Sequence, residues 1–294
     1  MAEIEFGQIS IGRGKSGRRG IGLDDVAIVP SRRIRDIADV DLSWKIDAYR
    51  FDLPFIGAGI ERPVGADDAI AIGERGGLAL VDLEALWAES PDAGELSAHI
   101  AKIKAADVKV AASVSGKRAE ELAPHAIHAE VDILVIQDGV ISAEAVSVDG
   151  PSLNLKTFIR TLDIPVVVGG CASYAAALHL MRTGAAGVIV GVDRSELGIG
   201  VPLATAIGDV RSARVRHLDE TGVYCHLIAR GEIGSGADVA KAVACGADAV
   251  IVDASWLVGS DPLADDVTDH LRESMALCGY TDLKGFQKAE VVVR

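Results

Sequence analysis

Short runs of Val, Ile, Ala and Leu recur along the chain, each followed by a polar or glycine turn and then by a longer stretch whose apolar residues return every three to four positions. The runs occupy residues 54–58, 78–81, 108–114, 132–136, 164–170, 186–191, 224–229 and 247–252. Runs of four to seven residues that stay apolar on both faces predict strands of a fully covered parallel sheet, and the amphipathic stretches between them predict the covering helices. Those helical patterns fall near 64–75, 95–105, 117–129, 152–161, 172–183, 199–220 and 236–245, with another near 263–278. Eight strand-helix units after residue 50 predict an α/β fold, a closed TIM (β/α)8 barrel, in a single domain over 21–294. The segment VDLEALWAESPDAGELSAHIAKIKAA, between the second and third runs, suffices for a loop and one helix and leaves no room for an inserted domain.

An open doubly wound sheet would carry a glycine-rich dinucleotide loop after its first strand. GAGIERPVG, residues 57–65, places Pro63 where the third glycine belongs and is discounted. GRGKSGRRG, residues 12–20, ends like a phosphate loop but has Ile9 where the first glycine is required, so residues 1–20 read as a flexible basic arm.

Charge and composition narrow the function classes. A net charge of −14 argues against nucleic acid or an anionic membrane as a main partner, since both require a basic surface. The amino-terminal MAEIEFGQIS lacks the basic-then-apolar order of a signal peptide and no apolar run reaches membrane length, so a cytoplasmic protein is expected. Cys171, Cys225, Cys245 and Cys278 are far apart and read as reduced structural thiols, not as a zinc or redox set. The histidines, His99, His125, His128, His179, His217, His226 and His270, are scattered, and no metal site is expected. His226 alternates with the apolar residues of the seventh strand and is placed toward the barrel interior; the default reading of each histidine is a core or interface role. DPLADD, residues 261–266, reads as a solvated helix start.

The candidate chemistry lies on the loops after the strands, where such barrels bind ligands and commonly seat a phosphate after strands 7 and 8. Here those loops carry Glu232 and Asp253. At an effective dielectric of ~20 and a separation of ~5 Å, each pair of like unit charges repels by roughly 3 kcal/mol, which opposes a dianion. The remaining candidates for the mouth are Gln137, Gly169, Gly170, Gly191, Asp193, Arg194, Arg230 and Gly231.

Several segments together resemble the IMP dehydrogenase/GMP reductase family: LDDVAIVPSRR (23–33), LPFIGAGIERPVGADDAIAIGERGGLALV (53–81), GAAGVIVG (184–191), LGIGVPLATAI (197–207), GSGADVAKAVACGADAVIV (234–252) and LRESMALCGYTDLKGFQK (271–288). The likeness spans nearly the whole chain and is nearest to actinobacterial IMP dehydrogenase-related proteins without CBS domains. The resemblance implies a barrel that oxidises or reduces a purine nucleotide with NAD(P), using a cysteine in a long loop after strand 6. Here Gly191 is followed by Val192, Asp193, Arg194, Ser195 and Glu196, and then by LGIG, read as the next helix start with Ser195 as its cap. No cysteine stands there, and covalent catalysis has no nucleophile.

Other family positions are also altered. Arg230-Gly231-Glu232 stands where the family has Asp-Gly-Gly to grip the ribose, and Asp253 stands for a phosphate glycine. Gly57-Ala58-Gly59-Ile60-Glu61 replaces Ser-Ser-Pro-Met-Asp. Gln137 precedes Asp138 where the family's aspartate meets the nicotinamide side, and the segment from Leu257 to Cys278 is too short for a catalytic flap.

Three readings of the altered mouth follow: neutral variation on loops, an internal pair of Arg230 with Glu232 or Asp253, or a changed ligand suited to the mixed charges of Arg230, Asp193, Arg194 and Glu196. The expected role is a non-catalytic paralogue in purine nucleotide metabolism with no catalytic residues, metal or cofactor. Its expected partners are further copies of itself, as tetramer or octamer by the resemblance, or an active IMP dehydrogenase. The rival is an NAD(P)-dependent oxidoreductase acting on IMP, GMP or another small molecule.

Overall fold

The computed structural model describes residues 8–60, 62–144, 153–258 and 262–294. Glu61, Asp261 and the first residue of the helix expected over 152–161 lie outside the described residues. The eight strands close into a barrel: β1 (Phe55–Ala58), β2 (Leu78–Asp82), β3 (Val110–Val114), β4 (Ile133–Gln137), β5 (Val166–Cys171), β6 (Gly187–Val190), β7 (His226–Arg230) and β8 (Ala249–Asp253). All neighbours pair in parallel, and β8 returns to β1 through Val250 opposite Phe55 and Asp253 opposite Ala58. Closure leaves no free strand edge, and the continuous apolar runs reflect coverage on both faces.

The connecting helices are α1 (Ala66–Glu74), α2 (Leu83–Glu89), α3 (Ala93–Lys104), α4 (Ala119–His128), α5 (Leu155–Ile159), α6 (Tyr174–Met181), α7 (Leu203–Thr221), α8 (Gly236–Cys245), α9 (Pro262–Leu277) and α10 (Leu283–Phe286). The segment between β2 and β3 therefore holds two helices where one was expected. Asp82 caps α2 by accepting from the amides of Glu84 and Ala85, and Asp92 caps α3 the same way through Gly94 and Glu95. Each acid satisfies amides that a helix start leaves unpaired. None of the helices is long and apolar enough to cross a membrane, among the described residues.

Leu80, Ala111, Val135, Val167, Ile189, Ile228 and Ile251 meet inside the barrel around a residual void of about 10 Å³. A void of that size barely reaches the volume one water needs, so the interior is a packed core and no ligand channel. Its floor is a hairpin, Trp44–Ile46 with Tyr49–Phe51, whose Trp44 and Ile46 also line that void. Trp44 keeps its indole N–H satisfied by donating to the Leu53 carbonyl at 2.9 Å and stacks on Phe51.

Residues 8–18, expected as part of a flexible arm, form a hairpin of Gln8–Gly12 with Lys15–Arg18. Arg18 anchors it by an ion pair to Asp209 on α7. At the other terminus Val291–Val293 pairs antiparallel with Val26–Ile28.

Candidate functional site

The carboxyl ends of the eight strands open onto one mouth, and the sequence brings acids there in quantity. Four of them are held by backbone amides. Asp253, the last residue of β8, accepts from Ser255 N at 2.8 Å and from Ile60 N, in the loop after β1, at 3.0 Å. Asp138, just past β4, accepts from Gly116 N at 3.0 Å in the loop after β3. Glu232, in the left-handed region at φ 52°, turns its carboxylate onto Leu203 N at 3.2 Å, the first amide of α7. Asp238, in the first turn of α8, accepts from Gly234 N at 3.2 Å and from the Ser235 hydroxyl at 2.7 Å.

The consequence is chemical. Amides of the loops after β1, β3, β7 and β8, and the start of α7, would be the natural donors for a phosphate, because helix starts and turns present unpaired N–H groups. Here the chain's own carboxylates already occupy the amides of Ile60, Gly116, Leu203, Gly234 and Ser255. A phosphate would have to displace charge-assisted hydrogen bonds and then sit among like charges.

The glycines of the mouth are engaged as well. Gly169 and Gly170 lie among the last residues of β5, before Cys171, with their backbone tied to the loop after β4: Asp138 N donates to Gly169 O at 2.8 Å, and Gly170 N donates to Asp138 O at 3.0 Å. Gly191 follows β6 at φ 135°, and a Cβ placed on it would lie 1.9 Å from the Arg230 carbonyl oxygen. Only glycine permits that approach of two backbones. Gly231, also at positive φ, turns the chain after β7.

Arg230 departs from one of the three readings of the mouth. It pairs with neither Glu232 nor Asp253 but reaches across the mouth and donates to the Gln137 side-chain oxygen at 2.9 Å. Both acids already hold amides, which removes the reason for the pair. Crowding by the barrel end lowers the Arg230 pKa through desolvation, although the guanidinium stays charged at physiological pH.

The loop after β6 differs from the sequence expectation. Asp193 and Arg194 pair with Gly200 and Ile199 in a small hairpin, closed by a single 3₁₀ turn at Ser195–Leu197. The helix begins only at Leu203, after Pro202, so Ser195 does not cap it. Pro202 explains the delay: proline favours a first-turn position and pushes the preceding residue into extended geometry. Arg194 folds back on Glu196 in an ion pair, and its side chain lies against Gly139 in the loop after β4.

Cys171 ends β5, but it is buried, its thiol is pushed up to about 12 by burial, and its hydrogen faces the Ile189 carbonyl at 3.5 Å. The family's nicotinamide cofactor also finds a poor fit, since Asp138 is tied to Gly116 and the Arg230–Gln137 bridge spans the mouth. Among the described residues no group of three His, Cys, Asp or Glu could hold a metal.

His226 is not at the mouth. It starts β7 at the opposite end of the barrel, with its ring against Tyr224 and Trp44. Sequence reasoning missed Asp138 and Asp238 as amide-binding acids. The second carried a readable signal, since Ser235-Gly236-Ala237-Asp238 has the spacing of a capping box.

The chain matches the family model described as IMP dehydrogenase / GMP reductase domain over residues 20–262. A protein of Mycolicibacterium smegmatis (strain ATCC 700084 / mc(2)155) named as an uncharacterized oxidoreductase is 38% identical across 97% of this chain and 99% of its own length. That alignment extends over 372 positions although this chain has 294 residues, so the relative carries internal segments that this chain lacks. The inosine-5'-monophosphate dehydrogenase of Methanocaldococcus jannaschii (strain ATCC 43067 / DSM 2661 / JAL-1 / JCM 10045 / NBRC 100440) is 32% identical over 51% of this chain and 30% of its own length. The crystal structure of an IMP dehydrogenase/GMP reductase-like protein from Corynebacterium glutamicum ATCC 13032 Kitasato, 35% identical, superposes with a TM-score of 0.87 and covers 98% of each chain. This chain belongs to the IMP dehydrogenase/GMP reductase family.

Proposed function

We propose that this chain is a non-catalytic member of its family, whose mouth is closed to purine nucleotides and which acts on purine nucleotide metabolism through assembly with itself or with an active IMP dehydrogenase. The observation that carries the reading is the occupation of the mouth amides by Asp138, Glu232, Asp238 and Asp253. The short connection from Gly191 to Pro202, without a cysteine, supports it, since a covalent intermediate needs a thiolate.

The test is a calorimetric titration with IMP and GMP to low millimolar concentration, for which no saturable heat is expected. The double variant Asp253→Gly and Glu232→Gly releases Ile60 N, Ser255 N and Leu203 N and should gain nucleotide affinity by about tenfold or more, the worth of a charge-assisted hydrogen bond or two. Saturable binding to the unaltered protein would overturn the reading. The relatives named as oxidoreductases favour the rival, an NAD(P)-dependent enzyme, and turnover of either nucleotide with NAD(P) would establish it. Recovery of an active IMP dehydrogenase with the purified protein is the expected sign of the hetero-assembly; an exclusively homomeric preparation would count against that partner.

A further inference from the structure

Among the described residues, most charges around the mouth are matched. Asp253, Asp138, Glu232 and Asp238 hold amides, Arg194 holds Glu196, and Arg62 holds Asp68. Arg230 differs. Among the described residues its one hydrogen-bond partner is the neutral Gln137, and the bridge uses a single guanidinium N–H. If Gln137 accepts through its oxygen, its amide nitrogen stays free to donate beside the remaining guanidinium N–H groups. In a chain of net charge −14, a central cation without a carboxylate is chemically incomplete.

Three large apolar side chains are exposed on the loops that follow the strands. Ile60 after β1, Val140 after β4 and Leu197 after β6 expose 61%, 55% and 62% of their surfaces, and Val140 lies three residues beyond Gln137. The contact of Arg194 with Gly139 brings the loop after β6, which carries Leu197, beside the loop after β4, which carries Val140. Exposed large apolar side chains gathered at a mouth mark a binding surface, whereas scattered ones do not.

We propose that the mouth binds an amphipathic monocarboxylate, its carboxylate held by the Arg230 guanidinium and the Gln137 amide and its apolar tail lying against Val140 and Leu197. A planar carboxylate matches the guanidinium fork and needs no loop amide, unlike a phosphate. A single negative charge balances Arg230, whereas a dianion would leave one charge uncompensated. The inference rests on the reading of the mouth as closed to nucleotide phosphate.

The experiment titrates the full chain with sodium octanoate, with octanamide as the uncharged control, and separately with IMP. Saturable octanoate binding in the millimolar range or tighter is expected, with octanamide at least about tenfold weaker, as expected for loss of a charged hydrogen bond. Arg230→Gln should weaken octanoate binding by about tenfold or more, and Gln137→Leu by a few fold, while both variants keep the parent's melting temperature within a few degrees. Should Arg230→Gln fail to fold, the octanamide control and Gln137→Leu still decide the question. Equal binding of octanoate and octanamide, no saturation with octanoate, or octanoate affinity unchanged in a folded Arg230→Gln variant would overturn the site. Binding of IMP would instead overturn the closed mouth, whatever octanoate does.

Discussion

His226 sits on the floor of the barrel with its ring between Trp44 and Tyr224, and its Nδ1 is buried without a hydrogen-bond partner, 3.8 Å from Asp248. Burial outweighs the nearby carboxylate and brings its pKa down from 6.5 to about 4. Between those values the unfolded chain binds the proton that the folded chain refuses, so stability is full above pH 6.5 and falls as pH drops toward 4. His99 and His217 are shifted in the same direction by burial and add to the slope. Replacing His226→Phe, which keeps an aromatic ring in the stack, should reduce the stability lost between pH 7 and 4.5 by about 2–3 kcal/mol. Urea unfolding at the two pH values measures this; an unchanged loss would mean the ring takes its proton in the folded state. The burial of His226 was legible from its alternation along β7. The identity of its neighbours was not, because Trp44 and Tyr224 reach it from a hairpin and a loop that strand periodicity does not register. The mouth acids show the same division. Glu232 and Asp253 could be placed from the strand ends, but the amides of Leu203 and Ile60 that hold them come from elements distant in sequence.

At the scale of elements, hydrophobic period and turn residues sufficed for the eight strands, whose observed limits lie within two residues of those expected. They failed where a local chemical signal opposed the period. Ser90-Pro91 divides the segment after β2 into α2 and α3, since a residue before proline avoids helical geometry. Gly198, Gly200 and Pro202 turn a supposed helix start into the hairpin after β6, with Gly198 at φ 69° closing it. That hairpin and Gly191 behave differently under substitution. Gly198 has open space around the position of a Cβ, so Gly198→Ala meets only the left-handed backbone and should cost about 1 kcal/mol. Gly191→Ala meets the same backbone restriction and a collision with the Arg230 carbonyl, which must separate β6 from β7 at the mouth. Its cost should exceed about 2 kcal/mol, and the displaced β7 end should also weaken whatever Arg230 holds. Chemical denaturation of the two variants side by side tests the argument. Equal costs would show that the strand ends can part freely.

Across the whole molecule the charged networks at the two ends of the barrel differ. At the floor, Asp248 is 2% exposed and collects Arg214 from α7, Lys284 and Gln287 from the segment of α10, the Tyr224 hydroxyl and the Leu227 amide. The cations overcome the burial of this carboxylate and hold its pKa below the usual value, so its contribution is present at neutral pH and is lost only as pH falls through that lowered value. The network ties the last strand to helices on both sides, and conserving charge balance there is a matter of stability, as expected for the amino-terminal face of such a barrel. Asp248→Asn would leave Arg214, itself 5% exposed, without its carboxylate and should destabilise the fold by about 3–5 kcal/mol. Because Arg230 and Gln137 lie at the other end of their strands, the folded fraction of that variant should bind octanoate with the parent's affinity. Asp253→Asn should do the reverse: it weakens the hold on Ile60 N and Ser255 N at the mouth, costs about 1–2 kcal/mol, and alters what the mouth accepts. Measuring melting temperature and ligand affinity on both variants separates the two faces. If Asp248→Asn changed affinity in its folded fraction, the ends of the barrel would be coupled through the packed interior, and the mouth could not be treated as a site set by its loops alone.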